Sequence, residues 1–217
     1  MFGKIMEALK NYGSKPPFDA SVFNDPVALK TEWGPCKRGG ANFRTHKLKL
    51  EFPNRAVFKP TGGAAVFYAV FLVLGLVFMG FGILKGINAG NMFNDDSIVI
   101  IGISSIFVAI GAVLIFFGMR PVVFDKTTGY FWKGFGEPDL YSLNNPKSNT
   151  VSFSEIYSLQ IISELVRSNK SSYMSYELNL VLKDGNRKNV IDHGKLSKLR
   201  EDGRNLAEFL NVPLWER

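Results

Sequence analysis

The chain has one cysteine, two histidines, and two long stretches without a charged residue. Each shortage closes off a class of chemistry. With a single thiol, Cys36, no disulfide forms within the chain. Metal sites built on cysteine clusters are excluded as well. A lone thiol between Pro35 and Lys37 is expected to be inert. With only His46 and His193, imidazole acid–base schemes reduce to one candidate, the adjacent pair Asp192-His193. His46 stands between Arg44 and Lys47, a poor setting for a metal cation. No Walker loop, zinc helix, nucleophile elbow or dinucleotide fingerprint occurs. The segment "GPCKRGGANF" has the glycines and cations of a phosphate loop but not the spacing, and reads as a flexible turn. The expectation is no catalytic residue, no cofactor, no metal and no small-molecule substrate.

The charge-free stretches run from Pro60 to Leu84 and from Ser97 to Met119. Each is long enough to cross ~30 Å of hydrocarbon, which takes about 20 helical residues. Two buried core helices are the alternative, but a chain this short has too little polar surface to wrap both. The first stretch starts far behind where a secretory signal lies, and the leading "MFGKIMEALKNYG" has no apolar core of signal length. Transmembrane helices are expected at 61–84 and 97–119, joined by a short extracytoplasmic loop at 85–96. Neither stretch contains Asp, Glu, Lys, Arg, His, Asn or Gln, which argues against transport by one copy. Gly75, Gly80, Gly82, Ser105, Ala109 and Ala112 are the small residues expected to let the two helices approach, or to pack against another subunit.

The net charge of +7 is uneven. Residues 1–62 carry eleven Lys/Arg against five Asp/Glu, whereas the loop 85–96 holds Lys85 against two aspartates. Arg55 and Lys59 precede the first span and Arg120 follows the second. By the positive-inside rule both termini are expected in the cytoplasm. Basic residues facing an anionic leaflet account for the high isoelectric point without invoking nucleic acid.

In residues 1–60, Phe2, Ile5, Met6 and Leu9 have helical spacing and suit a short amphipathic helix. "GSKPPFDASVFNDPV" has no period and reads as a linker or an irregular wrap. Alternation of Leu48, Leu50 and Phe52 with charged residues predicts a hairpin at 47–59. Residues 120–217 carry about five strands. Tyr157, Leu159 and Ile161 share one face of one strand, and Tyr176, Leu178, Leu180 and Leu182 share a face of the next. A helix is expected at about 196–211, with its apolar stripe running through Gly203. Asp192 is expected to cap that helix, with Gly194 allowing the chain reversal before it.

The order of "VSFSEIYSLQII", "YELNLVLKDGNR" and the terminal helix resembles bacterial pleckstrin-homology-like membrane proteins over residues 120–217. The resemblance implies an α+β membrane protein. A two-helix transmembrane hairpin would be coupled to a cytoplasmic PH-like small sheet or barrel, capped by the C-terminal helix. Such domains have seven strands, and the hairpin 47–59 would supply the two missing from five. The resemblance implies envelope or stress roles and oligomer formation. The expected function is a non-catalytic adaptor or scaffold in the bacterial inner membrane. It would bind a protein partner or itself and contact membrane lipids. An accessory subunit of a larger membrane complex is the alternative, and a membrane-surface enzyme has the least support. Headgroup sites in eukaryotic relatives use clustered basic loop residues, whereas Lys126, Lys133 and Lys147 are scattered along the sequence, which leaves headgroup binding by the domain an open and weak inference.

Overall fold

The structure, a computed structural model, describes residues 18–92, 94–138, 150–167 and 171–217. The helix expected around Phe2, Ile5, Met6 and Leu9, and Lys147, lie outside the described residues. The architecture is mixed α and β, with two sheets and two long apolar helices.

The described chain opens with a short 3-10 turn (Ala20–Phe23) and the helix α1 (Pro26–Lys30). Asp25 caps α1 by accepting the Val27 and Ala28 N–H bonds at 2.7 and 3.2 Å, and Pro26 occupies the first helical position. This segment is a wrap rather than a linker. Phe18, Phe23 and Trp33 pack with Trp215, Ile162 and Val181 on the outer face of a sheet. The Phe23 and Trp33 rings stack at 5.0 Å.

Next come β1 (His46–Glu51) and β2 (Arg55–Pro60), then the long helices α2 (Gly62–Asn88) and α3 (Asp95–Gly118). The strands β3 (Val122–Asp125), β4 (Tyr130–Lys133) and β5 (Thr150–Ser152) follow. These five strands form one sheet in the order β1-β2-β3-β4-β5. β2 and β3 are antiparallel neighbours, from Arg55↔Asp125 to Phe58↔Val122. The helical hairpin is therefore an insertion between two hydrogen-bonded strands.

The second sheet contains β6 (Ile156–Arg167), β7 (Ser172–Leu182), β8 (Arg187–His193) and β9 (Leu214–Glu216), in the order β8-β7-β6-β9. The described part of residues 120–217 thus holds seven strands, where five were expected. The two additions, β5 and β9, are three residues each, too short to display alternation. A bridge between Arg44 and His193 links the start of the first sheet to the end of the second. The helix α4 (Leu196–Leu210) packs beneath both sheets. Phe58, Phe124, Phe131, Leu159, Ile161, Leu178, Leu180, Leu199 and Leu206 are fully buried in this shared core. Each contributes about 1.5–3 kcal/mol of burial free energy.

A bulge between Ile156 and Ser158 corrects the expected faces of β6. Ile156 joins Leu159 and Ile161 in the main core, while Tyr157 turns outward to the aromatic wrap. There its hydroxyl donates to Asp25 Oδ2 at 2.8 Å.

The hairpin packs through residues seven apart, five of six of them small. Tyr68, Gly75 and Gly82 on α2 face Ser97, Ser104 and Gly111 on α3, and all six are buried. A seven-residue repeat keeps one face of each helix against its partner. A Cβ on Gly75 would lie 2.7 Å from the Val108 backbone nitrogen, and one on Gly111 would lie 2.5 Å from that of Leu72. Of the expected packing residues, Gly75 and Gly82 are in this seam. Gly80 meets open space, and Ser105, Ala109 and Ala112 are exposed on the outside of the hairpin. The cause is angular, since each step along a helix turns the side chain by about 100°. Ser104 points in and Ser105 points away.

Candidate functional site

The long helices and the sheets meet around a cavity of about 470 Å³. Its floor is the sheet-proximal end of the hairpin: Tyr68 from α2, and Val113, Leu114, Phe117 and Gly118 from α3. Its walls come from the loop through Lys37 and Ala41, from Thr45 and His46, from Arg120 and Val122, from Lys133, and from residues 189–192 of β8. The surface is apolar on the helix side and cationic on the sheet side.

Lys133 reaches the cavity because of strand parity. Phe131 faces the core, so the residue two positions on faces inward as well. Its ammonium donates to Asn189 Oδ1 at 3.2 Å. Burial pushes the Lys133 pKa down to about 8, with only partial relief from Asp192. Arg120 lies with its guanidinium 4.4 Å from the Phe116 and Phe117 rings, at the junction of α3 and the sheet. Among the described residues, Lys37, Arg120 and Lys133 form no ion pair within 4 Å.

Asp192 also faces this cavity, and the structure corrects its expected role. The N-cap of α4 is Lys195, which makes no side-chain cap. Asp192 Oδ1 instead accepts from Asn189 Nδ2 at 2.9 Å. Burial raises the Asp192 pKa, and the Asn189 bond and the nearby Lys133 and Lys37 oppose that rise. His193 points the other way and is fully buried. Its Nδ1 accepts the Lys195 N–H at 2.9 Å, so the imidazole does the capping expected of the carboxylate. Burial first, and then the Arg44 charge, push His193 down to about 4. Asp192 and His193 are therefore not a dyad. Gly194 serves close approach rather than chain reversal. Its φ is outside the left-handed region, and a Cβ there would overlap the Asn42 carbonyl.

His46 lines the cavity and has one fixed role. Its Nε2 lies 3.2 Å from the Arg120 carbonyl, which only accepts, so Nε2 carries the proton. Burial lowers the His46 pKa.

The segment expected to be a flexible turn is held down by carboxylates. Glu177 is fully buried and accepts the Cys36 N–H at 2.7 Å and the Lys37 N–H at 2.8 Å. Asn179 Nδ2 donates to the same carboxylate at 3.1 Å. Glu164 takes the Gly39 N–H at 3.2 Å. Glu177 and Asn179 point away from the core, as their strand alternation requires, but the wrap covers them. Burial raises the Cys36 pKa, which disfavours the nucleophilic thiolate.

The four basic residues expected to flank the membrane take different places. Arg120 sits at the cavity. Lys59 pairs with Glu51 at 2.6 Å near the base of α2. Lys85 pairs with Asp96 at 2.6 Å at the opposite end of the hairpin. Arg55 lies at the far end of β2, with its guanidinium 5.6 Å from the Trp132 ring, so it does not flank the helix. Among the described residues no group of three or more His, Cys, Asp or Glu stands close enough to hold a metal ion.

Sequence reasoning set Lys133 aside as one of several scattered lysines and did not consider Lys37 as a site residue. The parity of "YFWK" carried the signal for Lys133; no local pattern carried one for Lys37, which the Glu177 contact places. No protein-family model, curated protein or solved structure matches the chain.

Proposed function

We propose that this chain is a membrane-anchored, non-catalytic adaptor. Its two long helices cross the bilayer and hold a pleckstrin-homology-like β-domain against the cytoplasmic face of a bacterial inner membrane. One observation carries the reading. Over the most apolar stretches of α2 and α3, only 17% and 11% of the residues are buried. Core helices of a soluble protein are mostly covered, whereas these turn Phe, Val, Leu and Ile outward along their length. The insertion between β2 and β3 would fix the domain's orientation, because both ends of the hairpin are strand ends in one sheet. The non-catalytic character rests on the two imidazoles, one engaged by a backbone amide in the core and one by a backbone carbonyl.

Alkaline extraction of membranes, together with reporters fused at residue 91 and at the C-terminus, tests the anchoring. The expected result is full retention in the pellet, with opposite reporter activities. Release into the supernatant overturns it. An accessory subunit of a membrane complex is the second reading, favoured by the small outward-facing residues Gly102, Ser105, Ala109 and Ala112. Purification in mild detergent separates the two. A uniform homo-oligomer supports the adaptor, and unrelated proteins at fixed ratio support the subunit.

A further inference from the structure

Lys133, Asn189 and Asp192 form one chain of hydrogen bonds along the cavity wall. The Asn189 carboxamide joins the other two. Its Oδ1 accepts from the Lys133 amine at 3.2 Å, and its Nδ2 donates to Asp192 Oδ1 at 2.9 Å. An amine and a carboxyl group are thus held at the two ends of one amide, and all three residues line the cavity. Among the described residues no carboxylate pairs with Lys133 within 4 Å. The positive charges of Lys37 and Lys188 also bear on it. The cavity floor, with Val113, Leu114 and Phe117 of α3, is apolar.

We propose that Lys133 is a covalent capture site for aldehydes that carry an apolar chain, held as an imine with the chain along the α3 floor. A lysine removed from water beside other cations gains the character of a nucleophile, because the free amine is favoured over the ammonium. With a pKa of about 8, about one Lys133 in ten is the free amine at pH 7, against about one in three thousand for an ordinary lysine. One N–H of that amine stays on Asn189, and the lone pair is left to attack. It forms a C–N bond to the carbonyl carbon, and the carbonyl π pair moves to oxygen, which takes the Asp192 carboxyl proton. The nitrogen then returns a proton to the Asp192 carboxylate. Asp192 passes that proton to the hydroxyl, which leaves as water while the nitrogen lone pair closes the C=N bond. Loss of the remaining N–H proton to Asp192 gives the imine. One aldehyde and one amine yield one imine and one water, and nothing is oxidised or reduced. Burial raises the Asp192 pKa, which suits a group that must donate a proton before it accepts one. The volume of about 470 Å³ lies within the roughly 300–1,000 Å³ range of small-molecule sites. Capture goes beyond the adaptor reading and needs neither turnover nor a bilayer, so its failure leaves that reading untouched.

The test treats the full chain in mild detergent with less than one equivalent of decanal at pH 7. Cyanoborohydride reduces any imine to a stable secondary amine, and peptide mass spectrometry locates it. Labelling at Lys133 is expected to exceed that at Lys59 and Lys85, which also lie near the helix ends, by about tenfold or more. Labelling spread evenly over these lysines, or centred on Lys37, overturns the proposal. The Lys133 rate is expected to climb with pH and level off above about 8, whereas the other two lysines keep climbing. Parallel profiles overturn it as well. Lys133→Arg keeps the charge and a donor for Asn189 but forms no imine, and Lys133→Met removes both. Each is expected to lose the main adduct and keep the minor ones, and either variant, folded, is sufficient for the test. Asp192→Asn retains an acceptor for Asn189 and is expected to slow Lys133 labelling by about tenfold or more, while an unchanged rate removes Asp192 from the proton transfers and overturns that assignment. Propanal tests the floor. The ratio of Lys133 adducts to Lys59 and Lys85 adducts is expected to be about tenfold higher with decanal, and equal ratios overturn the apolar-chain assignment.

Discussion

Replacing Glu177 by Gln tests the physical account of how the loop over the second sheet is held. The wild-type carboxylate is fully buried and takes two backbone N–H groups, at 2.7 and 2.8 Å, from consecutive residues. Hydrogen bonds to a charged acceptor contribute about 1.5–3 kcal/mol each. A carboxamide keeps one oxygen and turns an NH2 toward the other amide, so one bond becomes a donor facing a donor. With the amide oxygen at the position that serves both Cys36 and Asn179, the surviving bonds lose their charge assistance. The expected cost is about 3 kcal/mol for local docking of the loop, or roughly 100-fold in its opening equilibrium. Backbone hydrogen exchange reads that equilibrium directly. The amides of Cys36 and Lys37 are expected to exchange about 100 times faster in Glu177→Gln, while those of β6 and β7 keep their wild-type rates. Glu164→Gln supplies the contrast, because its bonds to Gly39 are longer and exposed. There the change is expected to stay below about tenfold. Wild-type exchange at Cys36 and Lys37 in a folded Glu177→Gln protein would refute the reasoning.

Three further perturbations follow from the packing. Gly203→Ala is expected to stabilise the chain by about 0.5–1 kcal/mol, seen as a higher melting temperature by tryptophan fluorescence, because the helix gains propensity. The added methyl meets Ile161 and Leu214 at an ordinary 3.5 Å, and a lowered melting temperature would contradict this. Gly111→Leu is expected to cost at least about 1–3 kcal/mol by forcing α2 and α3 apart, whereas Gly80→Leu is tolerated. Protease resistance of the hairpin in detergent distinguishes them, since a Cβ at Gly80 meets nothing within 4 Å. His193 has a folded pKa of about 4 against 6.5 unfolded, so the unfolded state binds more protons between those values. Stability is therefore expected to fall by about 3 kcal/mol through this group as pH drops across that window. His193→Asn keeps an acceptor for the Lys195 amide but cannot titrate. Its chemical-denaturation profile is expected to be flatter over that range, and parallel profiles would count against the assignment.

Periodicity carried much of the architecture into view. The charge-free runs match α2 and α3 to within a few residues, and the stripe through Leu199 and Leu206 marks α4. What escaped was set by contacts distant in sequence. Glu177 and Asn179 alternate as solvent-facing residues should, and nothing local says that residues 18–40 fold back over them. Tyr157 follows the period of Leu159 until a bulge changes its face. Asp192 has the composition and position of a helix cap, yet the His193 ring reaches the Lys195 amide first. The hairpin seam was half visible. Glycines suggested close approach, but only the seven-residue spacing separates Gly75 and Gly82 from Gly80.

The placement of the helical hairpin between β2 and β3 also orders events during synthesis. A growing chain completes Pro60 well before Val122, its partner's starting residue, leaves the ribosome. Until then β2 presents an open backbone edge, the kind of surface that proteases and other strands engage. If the helices enter a bilayer as proposed, β3 reaches that edge only when the second helix has returned to the starting side. Closure of the sheet would thereby follow the return of the chain to that side. On that reading, a chain whose hairpin inserts halfway cannot pair β3 with β2, so the folded domain accumulates only after both helices have crossed.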